Sequence, residues 1–263
     1  MKEITLKYEE RYVAFLDILG FEKMVHDNNT EAINSYLKSV SEGVKSANDV
    51  YFNDKKRTIE SIIISDSIIL SIEKNKDYSE SLLELLQLCI SVAMIQTILA
   101  EKNIWLRGGI SCGDTHFDQS NHQIIGPAYI AAYNIEQNIS KYPRVALDSK
   151  IIKELNFTNA EELITALNTR SANHNHILYS WENKYTIKQD IPLFIDYLGF
   201  LFAYDELPNQ TKTLHLHQMI DNINNSIYTN MSAYTKHKWS AEYLNSVLAR
   251  INPKLFSSEL KNL

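Results

Sequence analysis

The pattern of apolar and polar positions changes period several times along the chain, and each change marks an element. Tyr12 to Leu16 is a short apolar, aromatic-bearing run that reads as a strand. From Thr30 to Asn48 the apolar residues Ala32, Ile33, Leu37, Val40 and Val44 recur at helical spacing. The stretch TIESIIISDSIILSIE, Thr58 to Glu73, has two β-branched halves joined at Ser65-Asp66-Ser67, which predicts a tight hairpin with an acid at its tip. Leu82 to Ala100 is apolar almost throughout, but Glu84, Gln87, Ser91 and Gln96 interrupt it, so a buried helix is expected and not a membrane span. IWLRGGISCGD then reads as a strand ending in glycines, followed by a polar loop around Ser120. QIIGPAYIAAYNIEQNIS reads as a strand end leading into a helix, and RVALD, Arg144 to Asp148, as a short strand.

The resulting order is β-α-β-β-α-β with a further αβ unit, the ferredoxin-like or palm-type arrangement of an α+β domain: a mostly antiparallel sheet flanked by helices. Beyond about Lys150 the character shifts. Asn and His become frequent, a weaker β region spans Ile177 to Tyr204, and helical patterns cover Thr213 to Met231 and Lys238 to Ile251. This divides the chain into a catalytic-type domain at 1–150 and an α-rich C-terminal extension at 151–263 packed on it, with no internal repeat. The aromatic stripe Tyr228, Tyr234, Trp239 and Tyr243 reads as a packing face.

Charge narrows the partners. A net charge of −6 over 263 residues argues against wrapping DNA through a basic surface and leaves room for a small basic pocket that takes a phosphorylated metabolite. Two cysteines, Cys89 and Cys112, with no secretory signal ahead of them, fit a cytoplasmic protein.

One charge is out of place. In RYVAFLDILGFEKMV the first strand ends in Asp17 and turns at once through Leu19-Gly20-Phe21. A carboxylate beside a core strand needs a partner, because burying it alone is costly. The expected topology sets the first strand beside the hairpin, which brings Asp17 to Asp66. Two close carboxylates repel unless a cation lies between them. Mg²⁺ or Mn²⁺ suits such a pair, since these ions prefer oxygen ligands and share water and substrate phosphates, and two of them can serve one displacement. Gly20 then allows the tight turn, and free N–H groups after it can cradle phosphate. For each Asp alone, turn capping is the competing reading. A haloacid-dehalogenase phosphatase reading of FLDILGF fails because the second Asp it needs is Leu19.

These residues resemble the class III nucleotidyl cyclases. VAFLDILGF is similar to their F-x-D-I-x-G-F strand, IIISDSIIL to their hairpin with the second metal Asp, LRGGISCG to R-x-G-I-x-x-G, and GPAYIAAYNIE to G-x-x-V-N-x-A-A-R-L. The match covers roughly residues 10 to 150 in order. It implies a homodimer with sites at the subunit interface, Asp17, Asp66 and the Ile18 carbonyl holding two Mn²⁺ or Mg²⁺ ions, and attack of a ribose 3′-hydroxyl on the α-phosphorus of a nucleoside triphosphate.

The departures from that pattern carry information too. Ile62 stands where purine-specific members have a base-reading Lys, and Gln123 where they have its polar partner; Ile130 replaces the ribose-orienting Asn and Asn134 the transition-state Arg. With YVAFLDILGF, SDSI, LRGGI, GPAY and YPRV together, the chain most resembles the pyrimidine cyclases of Pycsar antiphage systems. FIDYLGF and YTKHKWSAEYLNSVL resemble that family's C-terminal extension. The resemblance implies cyclic UMP or cyclic CMP as product and a separately encoded effector. A catalytically silent nucleotide-binding domain is the alternative. Candidate substrate contacts are Leu19, Gly20, Phe21, Arg107, Arg144, Lys141, Asn134, Tyr129 and Tyr133, with Tyr51 a weaker one. Lys141 serves equally as charge at a helix C-terminus, Arg107 as a structural ion pair, and the two tyrosines as core.

Overall fold

A computed structural model describes residues 6–51, 58–170, 176–179, 193–204, 207–228 and 231–251. In chain order the elements are β1 (Glu9–Ile18), α1 (Phe21–His26), α2 (Thr30–Tyr51), β2 (Glu60–Ile64), β3 (Ser67–Glu73) and α3 (Tyr78–Glu101). They continue with β4 (Leu106–Asp118), β5 (Gln123–Ile125), α4 (Pro127–Asn138), β6 (Val145–Leu147), α5 (Lys150–Glu154) and α6 (Ala160–Arg170). The last group is β7 (Leu178–Tyr179), β8 (Phe194–Ile195), α7 (Tyr197–Ala203), α8 (Asn209–Ile227) and α9 (Met231–Ile251).

One mixed sheet of 8 strands runs β2-β3-β1-β4-β6-β8-β7, with β5 paired to the far end of β4. β1 is central and antiparallel to both β3 and β4, while β4 and β6 are parallel across the α4 connection. Alternation along β1 decides what each face buries. Tyr12, Ala14, Leu16 and Ile18 enter the large core against α2, α3 and the C-terminal helices. Val13 and Phe15 face the other way, into a small cluster with Ile62, Ile69, Ala128 and Ala132 beneath α4. Asp17 continues that odd-numbered row and shares its face with α4.

α3 is the helix of the large core, long and apolar enough to span a bilayer yet mostly buried inside the protein. Its first turn is capped by Asp77, which accepts from Glu80 N–H at 3.0 Å. On the opposite face α4 lies directly on β4. A Cβ at Gly109 would overlap the Ala132 carbonyl and Ile135, so only glycine permits this approach.

The second half departs from its sequence reading in several places. α5 and α6 were not expected. The weak β region around Ile177–Tyr204 contains two-residue strands β7 and β8 and then a helix, α7. α9 begins at Met231, a full two turns before the Lys238 that its apolar pattern marks. The extension is continuous with the first domain: Ala146 pairs with Phe194, so the sheet crosses residue 150, and one apolar core holds residues from both sides of it. Of the aromatic stripe, Trp239 and Tyr243 are buried against Phe194, whereas Tyr228 is exposed.

Candidate active site

Register places Asp17 between Ser67 of β3 and Arg107 of β4. The hairpin turns through Ser65, at φ 57°, and Asp66, and the Ile18 N–H donates to the Asp66 carbonyl at 3.3 Å. The first strand's end and the hairpin tip are therefore joined by backbone, and the two aspartates are neighbours as the sequence led us to expect. Beyond them the Leu19 N–H donates to the Trp105 carbonyl at 2.8 Å, and Gly20 takes the left-handed conformation (φ 83°) that admits the turn into α1. No side chain caps α1. The Asp17 carboxylate takes no part in capping it.

It points at Arg107. Nε and Nη2 of that guanidinium both lie 3.0 Å from Asp17 Oδ2, and Nη2 lies 2.7 Å from Oε1 of the fully buried Glu136 on α4. Arg107 thus forks between two carboxylates, an arrangement its planar donors suit. Burial pushes the Asp17 carboxyl above the usual range; Arg107 pulls it down, and the Asp66 charge pushes it up again. Glu136 is raised by burial as well, with Arg107 opposing and both aspartates adding. Three acids and one arginine leave the site with surplus negative charge.

Lys236 of α9 is within electrostatic reach of this group. It is half-buried, burial and Arg107 lower its pKa, and Asp17 raises it. The hydroxyl of fully buried Tyr36 feels Asp66 and Asp17 and has no hydrogen-bond partner among the described residues. Sequence reading overlooked Glu136, Lys236 and Tyr36. Glu136 sits at the end of the quoted GPAYIAAYNIE, in phase with buried Ala132, and that phase was the available signal.

Of the other expected site residues, Leu19, Gly20 and Phe21 flank Asp17 by chain continuity. Phe15, two residues before Asp17 on the same face, receives Tyr129 and Tyr133 edge-on at 5.9 and 5.3 Å, and Ile62 lies buried in the same cluster. Gln123 opens β5, partly exposed, and Asn134 and Lys141 are exposed. Arg144 departs most from its expected role. It is buried, donates to the Ile139 carbonyl at 2.9 Å, and lies over the rings of Tyr142 and Trp239, so its guanidinium binds the extension to the sheet. Tyr51 ends α2, and its side chain is outside the described residues.

Among the described residues no group of three or more His, Cys, Asp or Glu side chains is arranged to hold a metal ion. The donors present, two carboxylates and the nearby Ile18 carbonyl, fit an ion that keeps water and phosphate in its shell and do not form a closed protein cage. Two clefts of about 620 and 680 Å³ are lined by residues such as Glu73, Lys74 and Glu154, and His116, Phe117 and Asp118; neither is lined by Asp17 or Asp66.

No family model and no curated protein matches the chain. Among solved structures it is similar to a bacterial light-regulated adenylyl cyclase at 14% identity and TM-score 0.41, covering 82% of this chain and 59% of that one. A second structure described in the same words gives 13% identity and TM-score 0.42, covering 82% and 58%. The chain therefore spans less than two thirds of the length of either.

Proposed function

We propose that this protein is a metal-dependent nucleotidyl cyclase that converts a pyrimidine nucleoside triphosphate, UTP or CTP, to its 3′,5′-cyclic monophosphate and pyrophosphate, as a second messenger in antiphage defence. The observation that carries the reading is the convergence of Asp17 and Asp66 at the end of β1, with surplus negative charge around them. Such a site attracts divalent cations and, through them, a triphosphate.

In this reading Asp17, Asp66 and the Ile18 carbonyl hold Mn²⁺ or Mg²⁺, which neutralises phosphate charge and makes the ribose 3′-hydroxyl a better nucleophile. Arg107, steadied by Glu136, supplies a fixed cation to the phosphates. The Leu19 N–H is taken by the Trp105 carbonyl, and the Gly20 and Phe21 N–H groups at the start of α1 would be the backbone donors to phosphate. The 3′-oxygen bonds to the α-phosphorus as its proton passes to solvent water, and the bond from the α-phosphorus to the bridging oxygen breaks, releasing pyrophosphate. Ile62 in place of a cationic base reader favours a pyrimidine over a purine. Exposed Ile125, Ile130 and Tyr133 along the α4 side support a homodimer that would cover them. The effector acts through the product.

A silent nucleotide-binding domain is favoured by one observation: Arg107 already neutralises Asp17 within the chain. Incubating wild type and Asp66→Ala with each of ATP, GTP, CTP and UTP in Mn²⁺, with mass-spectrometric detection, separates the two. A cyclic pyrimidine product from wild type alone is expected. No product from any nucleotide would sink the enzymatic reading.

A further inference from the structure

The C-terminal extension brings its own cation to the site. α9 packs its first half against the segment that leads into β4: the His237 ring meets Trp105 edge-on at 5.9 Å. The Trp105 carbonyl in turn accepts the Leu19 N–H at 2.8 Å, two residues past Asp17, and Arg107 follows two residues after Trp105. The residue before His237 is Lys236, half-buried, and its charge interacts with those of Asp17 and Arg107. Its neighbour Lys238 is tied to Glu242 in an exposed i,i+4 pair. The Lys236 ammonium by contrast makes no hydrogen bond or ion pair among the described residues. A half-buried ammonium without a hydrogen-bonding partner is an unfavourable arrangement unless an anionic acceptor joins it.

Resting on the cyclase reading above, we propose that Lys236 contacts the triphosphate bound at Asp17 and Asp66 of the same chain, donating to a non-bridging oxygen of the β- or γ-phosphate. The geometry suits this role. Arg107 is committed to Asp17 and Glu136, and Arg144 is packed under Trp239, so neither guanidinium is as free to follow a phosphate chain. Lys236 is compact, flexible at its stem and already partly desolvated. The contact also gives the extension a part in the site: residues 231–251 position a phosphate ligand, and α9 fixes it through His237 and Trp105.

The test uses inorganic tripolyphosphate with Mn²⁺ as probe, so that base recognition and turnover do not enter. Calorimetry on the full chain compares wild type with Lys236→Met, Lys236→Arg and, as a surface control, Lys238→Met. Losing one charge-assisted hydrogen bond predicts about tenfold weaker binding for Lys236→Met. Lys236→Arg keeps most of the affinity, Lys238→Met all of it, and ligand-free melting temperatures stay within a degree or two. Tripolyphosphate binding to Lys236→Met with wild-type affinity would overturn the inference and leave the cyclase reading standing. Failure of the wild type to bind tripolyphosphate would overturn that reading, and the inference with it.

Discussion

Two seven-residue segments of this chain, FLDILGF at Phe15–Phe21 and FIDYLGF at Phe194–Phe200, agree at five positions and do opposite things with their aspartate. Each runs from a strand into a short helix, with Gly20 just ahead of α1 and Gly199 inside α7. Asp196 turns inward. It is fully buried, its Oδ1 accepts from the Gly199 N–H at 3.1 Å and from the Tyr243 hydroxyl at 2.6 Å, and its Oδ2 takes Arg250 at 2.6 Å. It caps its own helix and neutralises its own arginine. Asp17 leaves α1 uncapped and has a second acid, Asp66, as neighbour. The lesson is that the same letters specify a structural cap when the surroundings satisfy both oxygens, and leave the carboxylate available for the proposed metal site when they do not. The glycines differ likewise. Gly199 is required because a Cβ would overlap the Asp196 carboxylate, and Gly20 because of its left-handed backbone, with open space around it.

The comparison can be broken most forcefully at the two acids. Asp17→Asn is expected to remove about a thousandfold of the proposed cyclase activity, read from product formation, while leaving the urea midpoint nearly unchanged. Asp196→Asn should do the reverse. Stranding Arg250 and the cap costs about 3 kcal/mol, measurable by urea unfolding. Similar unfolding losses for both variants would erase the distinction.

A smaller effect distinguishes the glycines. Gly199→Ala must displace the capping carboxylate and is expected to cost about 2 kcal/mol. Gly20→Ala meets only backbone strain, about 1 kcal/mol, so its urea midpoint should fall less.

Smaller still is the effect of charge at the site. Folded-state pKa values raised above the unfolded ones, as for Asp17 and Glu136, mean that the folded protein binds the extra protons. Their stabilising contribution is complete below the ordinary carboxylate range and is lost as pH rises through the raised values. Metal-free protein should therefore lose melting temperature as pH climbs from that range towards neutrality, and saturating Mn²⁺ should reverse the loss. Asp66→Asn, by relieving repulsion on Asp17, should flatten this slope and stabilise the metal-free protein by about 0.5 kcal/mol, a modest gain because solvent screens a half-exposed side chain. A steeper slope in Asp66→Asn would contradict the repulsion inferred here.

Much of the first half was legible along the chain. The α2 pattern from Thr30, the hairpin with Asp66 at its tip and the buried α3 all follow from periodicity, because each element packs one clear face, or all of itself, against its neighbours. The second half was harder to read. β7 and β8 are two residues each, too short for alternation to register, and FIDYLGF looks like a strand until Asp196 caps α7. The start of α9, Met231-Ser-Ala-Tyr-Thr-Lys-His, has a mixed surface with no continuous apolar stripe, and that gap concealed Lys236.

By itself the sequence determined which acids belong together: Asp17 ends a strand, Asp66 tips a hairpin, and chain order makes their strands neighbours. Only the tertiary structure decided what else meets them. Arg107 bridges Asp17 to Glu136 because Gly109 lets α4 lie against β4. Arg144 turns away because Tyr142 and Trp239 offer it a better-matched surface, and Lys236 comes from α9, more than two hundred positions beyond Asp17. Local pattern records the face an element buries; it does not record which distant element comes to cover it. That is set by packing across the whole sheet, where long-range contacts between side chains choose among the arrangements the local patterns allow.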